Sequence, residues 1–510
     1  MSNVPVQSGL AKTAMIAAVM LAMMLEMLDM TVVNVALPHM MGSFGATNDQ
    51  ITWVVTSYMV ASAIIMPLTG YLVQRFGRRR LLLIDITFFL LASAACGAAQ
   101  SLEQMVIFRI IQGAAGGTLA PLSQAVMMST FSRENRGSAM AVWGLGIMVV
   151  PVLGPTVGGI LTDHLSWRWV FYVNIPLGLF ALLLAASYVP AESGHKARTD
   201  WMGLSLAVLF VGSMQFLLTQ GNEHDWFNSH LIQAVAVLVV VSGLAFVAQC
   251  WDRPGAIVNL AVYRDKNYAL SSIMIAGFAM SMFGIMTLLP MTLEQLMGYP
   301  AQAVGAVMAP RGLVMAVAMV LFGRFSGRFD GRLLMVLGVC VLAGGTYVYS
   351  LLPATASRSW MMVPGIVQGI GMAMYFIPSS MLAYETLPKH LYDGAAGLYS
   401  VTRTIASSIG ISVIGVMLQR RGDYHWQTLN QHVTPDNPNV HAWLSAQGMS
   451  ITDPVAAATL TGTIMHQAQV LAFGDMYRLV ALVTLVVAPL VLFMRKPTII
   501  RKKPAPQPAE

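Results

Sequence analysis

Apolar stretches of roughly 20 residues recur along most of this chain, and they constrain its fold more than any other feature. A helix of about 20 residues crosses the hydrocarbon core of a bilayer. Helices satisfy their own backbone hydrogen bonds in lipid, and the short alternating segments of a membrane barrel are not seen in the sequence. Only 10% of the residues are charged, whereas a soluble domain carries about 25%. The sequence therefore predicts an all-α integral membrane protein.

The apolar pattern predicts fourteen membrane spans. Lys and Arg concentrate in alternate loops, so the positive-inside rule predicts a multi-pass protein with both termini in the cytoplasm. The same rule explains the net charge of +7 without a nucleic-acid partner. The spans are placed near residues 13–38, 51–73, 81–100, 104–128, 138–161, 168–190, 201–219, 231–250, 269–290, 302–322, 333–353, 360–383, 396–418 and 475–494.

Two weak internal repeats divide the chain into halves. The segment from Gly70 to Arg80 resembles residues 323–332, and residues 111–113 resemble residues 367–369 at nearly the same offset. The repeats pair span 2 with span 10 and span 4 with span 12, so matching spans lie eight apart. In two directly joined six-helix halves, matching spans would lie six apart. We therefore expect two six-helix bundles, residues 1–199 and 268–510, with two inserted spans and a cytoplasmic linker at 200–267.

A long, mostly polar periplasmic connection, residues 419–474, separates the last two predicted spans. Its final part, 454–473, has the composition of an amphipathic helix. The connection is either a solvated loop, or a lid, or a docking surface for a periplasmic partner.

Ionisable side chains inside spans are costly, and they are candidates for function. Glu26 and Asp29 share one face of span 1, and Arg109 of span 4 is placed at a similar depth to Asp29. An apolar cavity favours the neutral form of a carboxyl group, and a guanidinium favours the charged form. We therefore expect Asp29, Glu26 and Arg109 to couple transport to protons. The alternative is a static ion pair that only fixes helix packing.

Other polar side chains within the spans are candidate substrate contacts. Buried bases suit anions and the span 1 acids suit cations, so the charge of a substrate stays open. The many methionines fit an adaptable cavity or plain apolar filling equally well. The candidates are Asn34, Gln112, Gln124, Gln368, Tyr375, Arg311 and Arg403.

Two glycine-containing motifs are candidates for conformational control. Small residues let helices approach closely, and proline bends a helix. We interpret the span 5 motif as a kinked contact between the halves, with ordinary tight packing as the alternative. The residues are Gly70, Arg75, Gly77 and Arg78 after span 2, and Gly154, Pro155, Gly158 and Gly159 in span 5.

Together these motifs resemble the major facilitator superfamily, specifically its fourteen-span drug/proton antiporters of the EmrB/QacA type and most closely the EmrB branch. The resemblance rests on residues 28–38, 70–80, 109–113, 154–159 and 167–178. It implies the major facilitator fold, proton coupling by Asp29 and Arg109, and a hinge at Gly154 and Pro155. Gln74 departs from the pattern, which usually has an acidic residue there, and Asp85 is a candidate substitute.

The resemblance implies a proton-coupled multidrug efflux antiporter in the bacterial inner membrane. The EmrB branch works with a periplasmic membrane-fusion adaptor of the EmrA type and an outer-membrane channel of the TolC type. A proton-coupled exporter of a hydrophobic metabolite such as fatty acids is the alternative. An uptake symporter and a non-transporting scaffold or sensor fit the motifs less well.

The sequence gives no reason to expect an enzyme. Its three cysteines do not form a metal-binding pattern, and it contains no phosphate-binding loop of the Walker type. We therefore expect no metal or cofactor, and the proton-motive force as the energy source.

Overall fold

The computed structural model describes residues 9–132, 135–191, 194, 199–251, 253, 255–325, 329–434, 436–450 and 454–495. Within these residues the regular structure is helical. Fourteen helices in this part of the chain are long and apolar enough to cross a membrane, which confirms the predicted number of spans and the all-α class. The predicted cytoplasmic placement of the two termini concerns residues 1–8 and 496–510, which lie outside the described residues.

The spanning helices are labelled α1 to α14 in chain order. They are α1 (Gly9–Phe44), α2 (Asn48–Phe76), α3 (Arg78–Ala98), α4 (Leu102–Thr130), α5 (Arg136–His164), α6 (Trp169–Tyr188), α7 (Trp201–Gln220), α8 (His230–Cys250), α9 (Lys266–Leu296), α10 (Ala303–Phe325), α11 (Gly331–Tyr349), α12 (Arg358–Glu385), α13 (Lys389–Asn430) and α14 (Val455–Phe493). We call the face of the molecule that carries Gly77 and Asp393 the inner face, and the opposite face, with His164 and Asn430, the outer face.

The helices pack as two groups with a hairpin between them. In the first half, α1 lies against α5 and α6, and α4 packs against α2 and α3. In the second half, α12 packs against α10 and α11, and α13 packs against α9 and α14. The halves meet along α5 and α10, and the α7–α8 hairpin contacts both α2 and α13. The division at residues 199 and 267 into separate units stays a prediction.

Two spans of the first half are interrupted near the middle of the molecule. A 3-10 turn at Met66–Leu68 breaks α2, where Pro67 lacks the amide hydrogen that a regular helix needs. A turn at Gly117 and Thr118 breaks α4. Here α4 lies directly on α2, because a Cβ at Gly117 would lie 2.5 Å from the Ser62 carbonyl oxygen. These breaks leave backbone groups of the first half free to bind side chains.

The connection at 419–474 is more helical than the sequence predicts. The helices extend beyond the predicted spans, since α13 continues to Asn430 and α14 begins at Val455, with a short helix Pro438–Ala446 between them. Polar residues end the apolar run but do not end a helix, since its backbone hydrogen bonds are internal in water as in lipid. We call the described residues 419–450 and 454–474 the outer projection.

Contacts between its helices hold the outer projection together. Val440 and Leu444 of the short helix pack against Ala456 at the start of α14. Closer to the membrane, Asp475 of α14 accepts hydrogen bonds from Arg421 of α13 at 2.7 Å and pairs with His425 at 2.8 Å. The projection is therefore a folded extension of two spanning helices.

Candidate functional site

Asp29 lies at the centre of a buried polar network in the first half. Its side chain is fully buried, and its Oδ2 forms an ion pair with Nη1 of Arg109 from α4. Its Oδ1 accepts hydrogen bonds of 2.9 Å from both Gln112 of α4 and Asn174 of α6. Asn174 also donates to Ser93 of α3 at 3.1 Å. Both carboxylate oxygens of Asp29 are therefore bound by groups on neighbouring helices.

The Arg109 guanidinium is held just as completely. Nη1 also donates to Gln112 at 2.8 Å, and Nε donates to the carbonyl oxygen of Val54 on α2 at 2.9 Å. The guanidinium lies over the ring of Tyr58, 4.1 Å from its centroid. A buried charge needs both a partner and hydrogen bonds, and Arg109 has both. The network therefore ties α1, α2, α4 and α6 together through one ion pair.

Helix periodicity and a glycine bring these groups together. Arg109 and Gln112 are three residues apart and share one face of α4. The next residue, Gly113, lies against α2, where a Cβ would lie only 2.4 Å from the carbonyl oxygen of Tyr58. This close approach lets Arg109 reach the α2 backbone. The structure thus brings together Asp29 and Arg109, which the sequence places at similar depth.

A cavity lies between the two halves beside this network. It holds about 680 Å³ of empty space, counting the part open to solvent. Its walls are mostly methionine and phenylalanine, and such flexible, polarisable side chains adapt to varied apolar ligands. The apolar lining consists of Met27, Met30, Met59, Met66, Ile147, Met148, Phe278, Ala279, Met282, Phe283 and Phe376. The polar lining consists of Glu26, Tyr58, Ser62, Arg403, Thr404 and Ser407.

Glu26 reaches the cavity, whereas Asp29 does not line it. One oxygen of Glu26 accepts a 3.1 Å hydrogen bond from the backbone amide of Ala120. That amide is free because α4 restarts at Leu119 after its break, and the first turn of a helix has unpaired amides. Tyr58 links the two acids, since its side chain lines the cavity and its ring lies under Arg109.

Arg403 of α13 brings a positive charge from the second half to the same cavity. Its guanidinium lies near the Trp143 ring, 5.8 Å from the centroid, and the side chain is 8% exposed. The cavity thus has an acid from the first half and a base from the second. Among the seven predicted substrate contacts, Arg403 lines this cavity.

The other six predicted substrate contacts lie elsewhere in this conformation, and their role in substrate binding stays a prediction. Gln112 belongs to the Asp29 network, and Asn34 is exposed and bonds to its own helix. Gln368 donates to Thr346 at 3.0 Å, and the Tyr375 ring stacks on Phe278. Polarity within a span does not reveal whether a side chain faces a cavity or a neighbouring helix.

Four of these six have buried side-chain atoms with no hydrogen-bond partner among the described residues, including Gln368 Oε1 and the Tyr375 hydroxyl. Among the described residues, Gln124 has no partner for either amide atom. Arg311 directs Nη2 towards the sulfur of Met372 at 3.4 Å, and its Nη1 has no partner there.

On the inner face, two arginines of the first half hold the first turn of α13. Arg78 makes two hydrogen bonds of 3.0 Å to Asp393, and Arg136 donates to the hydroxyl of Tyr392 at 3.1 Å. We call these four residues the inner latch. The backbones also touch beside it, since a Cβ at Gly70 would lie 2.6 Å from the Cα of Gly394. The latch holds the inner ends of the halves together.

The expectation that Asp85 replaces the missing acid after span 2 is wrong. Asp85 accepts a hydrogen bond from Thr118 within the first half, and Asp393 of the second half is the acid that pairs with Arg78. Asp393 has one local sequence signal, its position as an acid in the first turn of a helix, where the helix dipole favours it, and this signal does not reveal Arg78 as its partner.

Arg75 and Gly77 have local roles in the same motif. Arg75 donates to the hydroxyls of Tyr71 and Thr199, at 2.7 and 2.9 Å. Gly77 joins α2 to α3 with φ of 79°, a conformation that favours glycine.

The interpretation of the span 5 motif as a contact between halves is wrong. Gly154 and Gly158 lie against α1 of the same half, where Cβ atoms would lie 2.0 Å from Thr31 Oγ1 and 2.8 Å from the Val32 carbonyl oxygen. Pro155 is exposed, and Gly159 has open space where a Cβ would be. Small residues pack helices wherever two backbones approach, and α1 approaches here. Other residues of α5 contact the second half, such as Gly144 next to Phe376 and Val152 next to Gly312 of α10.

Sequence comparison identifies the class to which this fold and network belong. The model of the Major Facilitator Superfamily matches residues 19–411. The chain belongs to this superfamily and, within it, to the drug/proton antiporters of the EmrB type.

Individual relatives are similar over nearly the whole chain. The multidrug export protein EmrB of Haemophilus influenzae is 33% identical, over 94% of each chain. EmrB of Escherichia coli is 32% identical over 96% of each chain. The fatty acid resistance protein FarB of Neisseria gonorrhoeae is 32% identical over 94% of this chain and 95% of its own.

Solved structures share the fold at low sequence identity. The human organic anion transporter MFSD10 superposes with a TM-score of 0.62 at 14% identity, covering 94% of this chain and all of that one. The proton:xylose symporter XylE superposes with a TM-score of 0.58 at 16% identity, covering 92% and 94%. The major facilitator fold predicted from the sequence is confirmed.

Proposed function

We propose that this chain is a proton-coupled antiporter that exports hydrophobic, drug-like compounds across the bacterial inner membrane by alternating access. The observation that carries the proposal is the buried Asp29–Arg109 ion pair beside an apolar, methionine-lined cavity that also contains Glu26. The relatives named multidrug export proteins support it. The energy source is the proton-motive force, and the chain needs no cofactor.

In this mechanism Glu26 and Asp29 have different tasks. Glu26 faces the cavity, so it takes up a proton from the outer side and loses it to the inner side as substrate binds. Asp29 responds through Tyr58 and Arg109, which connect the cavity wall to the network. A proton on Asp29 removes the charge that holds Arg109, and the helices that the pair ties together are then free to shift.

The closed inner latch and the cavity fit one state of such a cycle. The latch joins the inner ends of the two halves. We propose that the inner face is cytoplasmic, with both termini on that side. Opening of the latch then gives access from the cytoplasm.

A more specific candidate substrate class is that of hydrophobic acids, such as fatty acids. Arg403 favours it, because the positive charge that it brings to the cavity attracts a carboxylate. The similarity to a fatty acid resistance protein points the same way.

A panel of matched hydrophobic acids, cations and neutral compounds tests both the function and this substrate class. Cells that express the chain should export members of the panel, and collapse of the proton gradient should abolish that export. We expect Arg403→Gln to lower export of the acids about tenfold, as 1.4 kcal/mol of lost attraction implies. Arg403→Lys, which keeps the charge, should retain most of it.

Export that continues at full rate without a proton gradient would contradict the proposed function. An equal effect of Arg403→Gln on all three compound classes would contradict the proposal that hydrophobic acids are the substrate class.

We further propose that the outer projection docks a periplasmic adaptor of the EmrA type, which leads to an outer-membrane channel of the TolC type. Its folded helices extend from α13 and α14 and end in the packed short helix. Replacing 432–453 by a flexible linker of equal length leaves the Arg421, His425 and Asp475 cluster intact.

This replacement should impair export from whole cells while isolated vesicles still transport, because only whole cells need the adaptor. The comparison is made on the same compound in both preparations. An equal loss in cells and vesicles would indicate a lid or a folding role for the projection.

A further inference from the structure

Helix α7 carries two fully buried glutamines although it lies at the edge of the bundle. Polar groups inside a membrane are costly and need partners. Gln220 donates to Thr56 of α2 in the first half at 3.2 Å, and Gln215 donates to Ser408 of α13 in the second half at 2.8 Å. One inserted helix is therefore hydrogen-bonded to both halves.

The same helix lies directly behind the wall of the cavity. Val211 of α7 packs against Ala63 and Met66 of α2 and Val401 of α13. Met66 also lines the cavity, as does Ser407, the neighbour of Ser408. Between α2 and α13, α7 thus separates the cavity from lipid.

Its attachments to the first half are tight and extend along its length. Gly212 fits against Ile64, where a Cβ would lie 3.1 Å from Cδ1, and Phe216 lies 5.9 Å from Trp53 between ring centroids. Thr199, two residues before α7, bonds to the hydroxyl of Tyr71 at 2.7 Å. These contacts fix α7 to α2.

Its polar attachments to the second half are few. Gln215 bonds to Ser408, and the hydroxyl of Ser412 donates to the carbonyl oxygen of Leu218 at 2.5 Å. We call these two hydrogen bonds the clasp. Single hydrogen bonds between membrane helices are weak, so the clasp can open while the packed contacts with α2 persist.

We propose that the α7–α8 hairpin moves with the first half, and that the clasp opens and re-forms in each transport cycle. The hairpin then keeps a hydrophobic cargo from leaving the cavity sideways into lipid. This inference rests on the alternating access of the proposed function. When the halves rock, α2 and α13 change their separation, and a helix bonded to both must release one.

Two matched cysteine pairs test which contact is released. The clasp pair is Asn222→Cys with Gly415→Cys, since a Cβ at Gly415 lies 2.7 Å from Asn222 Nδ2. The control pair is Ile64→Cys with Gly212→Cys, within the first half. Both are made with Cys340→Ser, because Cys340 is exposed whereas Cys96 and Cys250 are buried.

Oxidation of the clasp pair should lower export at least about tenfold, and reduction should restore it, because a fixed clasp holds one state. Oxidation of the control pair should leave export unchanged. Full export by the oxidised clasp pair would overturn the proposal, and so would arrest of export by the oxidised control pair.

A second measurement separates this inference from the proposed function. Ser407→Cys, in the cavity wall, is labelled with a membrane-impermeant thiol reagent in inside-out vesicles. In these vesicles the inner face of the protein is exposed to the medium that contains the reagent. Oxidising the clasp pair should suppress this labelling, whereas oxidising the control pair should not. Undiminished labelling after oxidation of the clasp pair would overturn the proposal that the clasp opens in each cycle. Absence of export in both reduced proteins would contradict the proposed function alone, since the labelling needs no substrate.

Discussion

At the scale of single residues, the two acids of α1 differ in their surroundings rather than in their type. Asp29 is bound on both oxygens by groups from α4 and α6, whereas Glu26 lines the cavity and accepts a backbone amide. Their spacing of three residues predicts a shared face but not this difference. Depth and charge make the Asp29–Arg109 pair predictable from the sequence. Asn174 lies in a motif noted in the sequence, yet its bond to Asp29 depends on how α6 packs.

Removing the charge of Asp29 should abolish proton-coupled export. Asp29→Asn leaves Arg109 buried without a counter-charge, which costs about 3–5 kcal/mol of stability. The double variant Asp29→Asn with Arg109→Gln removes both charges and should regain stability. We expect neither protein to export, as measured by compound efflux alongside thermal unfolding in detergent.

The double variant distinguishes a role of Asp29 in proton coupling from a role in helix packing alone. A stable double variant that exports normally would show that the pair only fixes helix packing. Asp85→Asn is the matched control, because Asp85 is a buried acid of the same half that bonds to Thr118 outside the network.

At the scale of helices, hydropathy finds the spans but not their ends. The fourteen apolar runs coincide with fourteen helices. However, α13 and α14 extend beyond the apolar part, because water-exposed turns are stabilised by the cluster around Asp475. Glycine motifs likewise predict close packing but not the partner, as Gly154 and Gly158 show by contacting α1.

Two adjacent glycines of α5 should respond oppositely to the same substitution. Gly158→Ala places a Cβ 2.8 Å from the Val32 carbonyl oxygen and should cost about 1–3 kcal/mol through overpacking. Gly159→Ala meets open space, so it should be neutral or stabilise the helix by up to about 1 kcal/mol. Thermal unfolding of the two variants in detergent measures these changes in stability. If both substitutions destabilised the protein equally, the packing of α1 against Gly158 would be contradicted.

At the scale of the whole molecule, the halves are joined at the inner face, and the cavity lies between them. The latch from Arg78 and Arg136 to α13 was not predictable, because its acid, Asp393, is more than 300 residues from Arg78 in the chain. The division into halves is suggested by the repeats, and the placement of the inserted hairpin behind the cavity wall came only from the structure.

Substrate-driven proton flux is the direct test of proton-coupled antiport by this chain. Inside-out vesicles with an acidified lumen are given a compound that they accumulate, and the lumenal pH is followed. We expect the compound to release stored protons from vesicles with the native chain. Vesicles with the stable Asp29→Asn, Arg109→Gln variant should release none above background. Accumulation of the compound by the native chain without proton release would contradict proton-coupled antiport.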